Sequence, residues 1–372
     1  MLKFTIIIFF LYLLLCPFYI FESGLPQPAD ILLAIASIIM LFNVNKIIFL
    51  ITPVKNIFIL VVLIIIVNTF NQLDLTFSNI IGITYLSSLY YIFNLFCFIT
   101  IFFITSNKNN SKLFNDLTKV IFISLLIQCI LSILGMGNNT SRTVIYFNNP
   151  NQLGYYSLCL FSLYTIIPSQ LRKSKMMLLL TMIMSFYLII VSQSRAALLG
   201  VGLLTIVILL KEGYKLKLSS IVFLVTFLIV TFIIIENSEL YKEKYTAIKL
   251  RNENKFSSYD NEIKIRGYDR IFLYKEYLLI GAGEGGEKRF TKAFHQREIH
   301  SGFGTILFSY GILGIILFLN FVYKVIKSKL WINLTVIAPV LIYNFFHQGF
   351  REPLFWIILA FVYLTSRENV QN

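Results

Sequence analysis

Residues 176–210 read MMLLLTMIMSFYLIIVSQSRAALLGVGLLTIVILL, two apolar runs separated only by SQSRA. A helix on the surface of a water-soluble protein keeps one polar face, and neither run has one. Runs of this kind suit the hydrocarbon core of a bilayer, about 30 Å thick. There every backbone N–H and C=O must be paired within its own segment, so the spacing predicts two helices joined by a tight turn. The pattern repeats along the chain. Apolar runs near 4–21, 28–44, 57–70, 79–105, 117–134, 152–168, 176–192, 196–210, 218–235, 301–322, 331–346 and 353–366 predict about twelve spans. Residues 47–52 are apolar but too short to cross.

Composition excludes the alternatives. The 372 residues are 57% hydrophobic and 13% charged, with a mean hydropathy of +0.78. A soluble chain carries about a quarter charged residues, so this one lacks the polar surface of a soluble enzyme. The first run ends at FESGLP with no AxA-like cleavage site and reads as an uncleaved span. Cys16, Cys97, Cys129 and Cys159 lie in or beside apolar runs without CxxC spacing, and read as small membrane-helix residues.

The net charge of +14 resolves once it is placed along the chain. With the N-terminus inside, alternate connections collect Lys46 and Lys55, then Lys108, Lys112 and Lys119, then Arg172, Lys173 and Lys175. Lys211, Lys215 and Lys217 follow, then Lys324, Lys327 and Lys329; with Lys3 and Arg367 these make 16 of the 32 basic residues. The opposite short connections hold only Arg142, Arg195 and Arg351, and the segment 236–299 holds 13 basic against 11 acidic residues. Lysine and arginine are retained on the cytoplasmic side. The charge therefore indicates orientation in a membrane, not nucleic acid. The expected fold is an all-α integral membrane protein, a single polytopic domain of about twelve transmembrane helices with both termini cytoplasmic. A large extracytoplasmic loop, 236–299, joins helices nine and ten, with short helices expected over 238–250 and 262–279.

His295, His300 and His347 also fall on the outer side, so the chemistry is sought there. Arg195, in SQSRAALLG, sits on the face where lysine is avoided; its guanidinium suits a pyrophosphate, and a snorkelling interfacial arginine is the plainer reading. FNNPNQLGYY at 147–156 presents Asn149 and Asn151 at a span entry, as ligand groups or as helix caps. Arg266 and Arg270 stand one helical turn apart, so both fit one face, as a paired site or as solvated surface charge. GAGEGG at 281–286 has no preceding strand and reads as a glycine-rich turn more readily than as a phosphate cradle. His300 follows Glu298 where the loop enters a span; imidazole suits proton abstraction from a hydroxyl, and capping is the alternative. His347 and Arg351, in FFHQGFREP, form a further outer cluster or an ordinary turn. No metal-ligand cluster and no cofactor motif is visible.

FNNPNQLG at 147–154, SQSRAALLG at 192–200, RGYDR at 266–270, GAGEGG at 281–286 and EIHSGFGTILFSYGILG at 298–314, in this order, resemble the bacterial O-antigen polymerase and O-antigen ligase superfamily. The resemblance implies transfer of a glycan from undecaprenyl pyrophosphate to an acceptor hydroxyl outside the plasma membrane, building O-antigen or capsule. It matches Arg195 to the arginine after the span-seven turn and His300 to the histidine opening span ten. Arg266, with Arg270 as rival, matches the loop arginine. Arg142, Asn149, Asn151, Glu298, His347 and Arg351 are expected to contact substrate. A flippase and a chain-length regulator are the partners implied. Polymerase is favoured over ligase because the loop has no dominant basic surface for a phosphorylated lipid A core. A lipid-linked glycan transporter is the remaining alternative, disfavoured because the polar groups gather at the outer rim and not mid-span.

Overall fold

The computed structural model describes residues 2–22, 24–41, 51–77, 84–106, 110–137, 142–172, 174–211 and 263–368. These residues are helical, with no strand among them. The helices are α1 (Leu2–Leu15), α2 (Pro28–Leu41), α3 (Thr52–Phe77), α4 (Tyr85–Ser106), α5 (Asn110–Ile133), α6 (Pro150–Ile166), α7 (Lys175–Ser192), α8 (Arg195–Lys211), the short α9 (Asp269–Leu273), α10 (Gly302–Ile326), α11 (Leu330–Phe346) and α12 (Pro353–Glu368). A helix stands at each expected span except the ninth, 218–235, which lies outside the described residues, as does the helix expected over 238–250.

Among the described residues, five helical stretches are long and apolar enough to cross a membrane. One of them, Gly302–Phe346, folds back at Lys327–Lys329: Gly302 N–H donates to the His347 carbonyl at 2.9 Å, so the start of α10 meets the end of α11. α3 has 26 residues, about 39 Å at 1.5 Å per residue.

α6 and α12 are the innermost helices. Leu153–Ile166 and Leu354–Tyr363 are buried without interruption, as helices apolar on every side must be. The outer helices expose aliphatic stripes instead, among them Ile59, Val62 and Ile66 on α3 and Ile312, Leu313 and Ile316 on α10. Such a girdle is stable against lipid and not against water. Between helices, small polar groups pair: Thr100 Oγ1 donates to Ser37 Oγ at 2.8 Å, and Asn333 Nδ2 to Ser366 Oγ at 2.7 Å. Buried hydroxyls and amides in a membrane interior need such partners.

The segment preceding α10 meets the bundle at a break in that helix. Gly311 (φ 68°, ψ −172°) is non-helical and leaves carbonyls exposed in the turn before it. Ala282 N–H donates to Phe308 O at 3.0 Å and Gly283 N–H to Ser309 O at 2.8 Å. The GAGEGG stretch is thus a strap joined to α10. A Cβ on Gly311 would lie 2.2 Å from Leu279 O, and one on Gly281 (φ +104°) 2.3 Å from Ser309 O. Gly311→Ala is expected to cost at least about 1–3 kcal/mol from backbone strain alone, read as a lowered Tm in detergent.

Over 262–279, where short helices are expected, the chain forms short pieces. Gly267, at φ +74°, turns the chain before α9, and Lys275–Leu278 forms a single 3-10 turn.

Candidate functional site

The N-terminal ends of α2, α4, α6 and α12, the C-terminal end of α11 and the segment preceding α10 line one cavity of about 930 Å³. Seven of the residues singled out from sequence line it: Asn149, Asn151, Arg266, Glu298, His300, His347 and Arg351.

Arg266 and His300 are brought together by the backbone, His300 N–H donating to Arg266 O at 2.9 Å. The Arg266 guanidinium donates to Phe346 O at 2.6 Å and lies 5.7 Å from the Phe346 ring, which fixes it at the end of α11. His295 packs edge-on to His300 at 6.5 Å between ring centroids. Its Nδ1 accepts from Arg297 N–H at 3.2 Å, leaving Nε2 to donate to Ile265 O at 2.6 Å. Partial desolvation pulls the His300 pKa below its ordinary value; Glu298 opposes this, and His295, Arg266 and Arg297 add to it. A neutral imidazole at neutral pH is able to accept a proton.

Arg351 is held from two sides. Its Nε and Nη2 donate to Glu284 Oε2 at 2.9 and 2.5 Å, and Nη1 donates to Glu298 at 2.8 Å. Glu284, 2% exposed, also accepts from the Tyr91 and Tyr310 hydroxyls, each at 2.8 Å, and its N–H donates to Asn68 Oδ1 at 3.0 Å. Burial works against the Arg351 charge, but Glu284 and Glu298 outweigh it and hold the pKa well above the ordinary arginine value.

The remaining three lie outside the cavity lining. Arg270 is 2% exposed, with its guanidinium 5.0 Å from the Phe290 ring and donating to the His295 and Arg297 carbonyls. Desolvation lowers its pKa. It joins parts of the segment preceding α10 to one another. The spacing placed it beside Arg266, but Gly267 breaks the helix between them and sends the two side chains apart. Arg142 ties the turn after α7 to α6, donating to Ser192 O at 2.9 Å and to Asn151 Oδ1 at 2.8 Å. Arg195 is the exposed first residue of α8, on the turn that Arg142 joins to the cavity rim. Asn149 caps α6: its Oδ1 accepts from Asn151 N–H and Gln152 N–H, and Gln152 Oε1 accepts from Asn149 N–H.

Sequence reading missed Glu284, Asp30 and Glu352. The last two line the cavity, Asp30 in the first turn of α2 and Glu352 in the turn before α12. A signal existed, since each is an acidic residue at the edge of an apolar run in a chain with few charges. The cavity also continues along Ile31, Ala34, Ile35 and Ile38, one face of α2, beside Leu89 and Phe93 of α4. Ile31, Ile35, Ile38 and Leu89 are exposed.

Helix content and apolar surface define a helical protein of the membrane class. No protein-family model and no curated protein matches the chain.

Proposed function

We propose that this protein is a membrane glycosyltransferase that polymerises O-antigen or capsule repeat units. It transfers the growing glycan from undecaprenyl pyrophosphate to a sugar hydroxyl of another lipid-linked repeat unit. The observation that carries this reading is the amphipathic cavity: one end presents Arg266, His300, His347 and Arg351, and the other runs along exposed aliphatic residues of α2 and α4. A lipid with an anionic head and a hydrocarbon tail matches both ends.

In this reading the chain crosses the bacterial plasma membrane twelve times with both termini cytoplasmic, and 236–299 is extracytoplasmic. A flippase supplies the substrate and a chain-length regulator acts beside it. His300 accepts the proton of the acceptor hydroxyl. The hydroxyl oxygen then attacks the anomeric carbon as its bond to the phosphate oxygen breaks, with inversion, and undecaprenyl pyrophosphate leaves. Arg266 binds the pyrophosphate and neutralises the charge that builds on it, so no metal is required. Arg195 is the second pyrophosphate arginine by resemblance, approaching from the neighbouring turn. Glu298, His347, Arg351, Asn149 and Asn151 shape the site around the substrate.

The test is elongation of lipid-linked repeat units by purified protein in detergent, where no compartment exists to transport across. Wild-type protein is expected to elongate them, and Arg266→Lys to lose about 10²–10³ in rate, because a point charge does not replace the guanidinium fork. Arg195→Lys is expected to behave likewise. Full activity of either variant removes that arginine from the pyrophosphate site. No elongation by wild-type protein removes the polymerase reading.

A further inference from the structure

The cavity has two further polar side chains, Asp30 and Glu352, that the mechanism above does not use. A recess of about 20 Å³, room for one water, adjoins the cavity at these residues. Asp30 and Glu352 line both spaces, and none of the arginines and histidines of the main cavity borders the recess. Arg351, next to Glu352 in sequence, turns its guanidinium onto Glu284 and Glu298 instead. The titratable groups around Glu352 are Asp30 on α2, Tyr12 on α1, Cys16 and Tyr19 after it, Tyr155 and Cys159 on α6 and Tyr343 on α11. That set contains no cation.

Asp30 Oδ2 accepts from Gln27 N–H at 2.9 Å. Among the described residues no group hydrogen-bonds the Glu352 carboxyl; the influences on it are burial and Asp30. A half-buried carboxyl that no described residue hydrogen-bonds is open to water or to a ligand. The phosphate end of a substrate is repelled here, and so is an acidic sugar. A neutral sugar is not: its hydroxyls donate to carboxylate oxygens and accept from a protonated carboxyl, and the surrounding tyrosines add apolar faces.

We propose that Glu352, with Asp30, forms the subsite for the acceptor saccharide and selects an uncharged, polyhydroxylated sugar at that position. The subsite rests on the polymerase reading of the same cavity and adds the class of acceptor it takes. Burial, with Asp30 adding to it, pushes the Glu352 carboxyl up to about 7, so it both donates and accepts near neutral pH.

The experiment uses the full chain in detergent, lipid-linked repeat units as donor, and the soluble repeat oligosaccharide released from the host's own polysaccharide as acceptor. Binding of undecaprenyl pyrophosphate is measured separately. Glu352→Ala is expected to raise the half-saturating acceptor concentration about tenfold or more, the loss of a hydrogen bond to a charged group. Its binding of undecaprenyl pyrophosphate should stay near wild type. Glu352→Gln keeps the hydrogen bonds and is expected to recover most acceptor affinity, while the change in that affinity around pH 7 disappears. Unchanged acceptor dependence in Glu352→Ala overturns the subsite. Equal loss of acceptor and undecaprenyl pyrophosphate binding overturns it too, because the residue then serves the fold. A wild-type protein that transfers to no acceptor overturns the polymerase reading and the subsite with it. A wild-type protein that elongates, beside an insensitive Glu352→Ala, overturns the subsite alone.

Discussion

His300→Ala is expected to lower the elongation rate by about 10²–10⁴, the usual contribution of a positioned general base. Placement supports this more than residue type does. The ring lines the cavity, its backbone is bonded to that of Arg266, and among the described residues its ring nitrogens hydrogen-bond nothing. A proton acceptor must be unprotonated, and desolvation pulls the His300 pKa below its ordinary value. Rate therefore falls as pH drops through that pKa, and the acid limb of kcat/KM lies below the value of about 6.5 for a free imidazole. The limb should be absent in His300→Ala. A variant whose rate and acid limb both match wild type removes His300 as the base.

What was legible in the sequence is what depends on near neighbours in the chain. Apolar runs located each described long helix because a lipid-facing helix carries its environment in its own composition. The alternation of lysine placed Asn149, His300, His347 and Arg351 at one end of the bundle, and the structure gathers their side chains round one cavity. Contacts between distant residues were not legible. Glu284 lies in a stretch whose glycines attract attention, yet its partners Tyr91, Tyr310 and Arg351 come from three separate helices or turns. Arg270 shows a failure at short range. One-turn spacing assumes a continuous helix, and the positive φ of Gly267 removes that assumption, so Arg266 reaches the cavity while Arg270 is buried under Phe290.

The second large effect concerns stability and separates the two partners of the buried ion pair. Arg351→Ala is expected to destabilise the protein by about 3–5 kcal/mol, the cost of leaving a buried charge uncompensated. The Glu284 side chain, 2% exposed, would keep only the two tyrosine hydroxyls and the low-dielectric surroundings that disfavour its charge. Glu284→Gln is expected to cost less. The Arg351 side chain is 19% exposed and retains Glu298, itself 49% exposed, so its charge stays partly solvated and paired. Replacing both residues with apolar ones of similar volume is expected to recover much of the stability, since a buried pair contributes little net energy against good packing. Unfolding measured in detergent for the two single variants and the double replacement checks the order. An Arg351→Ala protein as stable as wild type would mean that the contact between Glu284 and Arg351 does not support the fold. Activity should follow a different order from stability. The apolar double replacement is stable in this account, but it loses the Arg351 hydrogen bond to Glu298 and alters the cavity wall. A stable and inactive double variant would show that the pair is retained for the site and not for the fold.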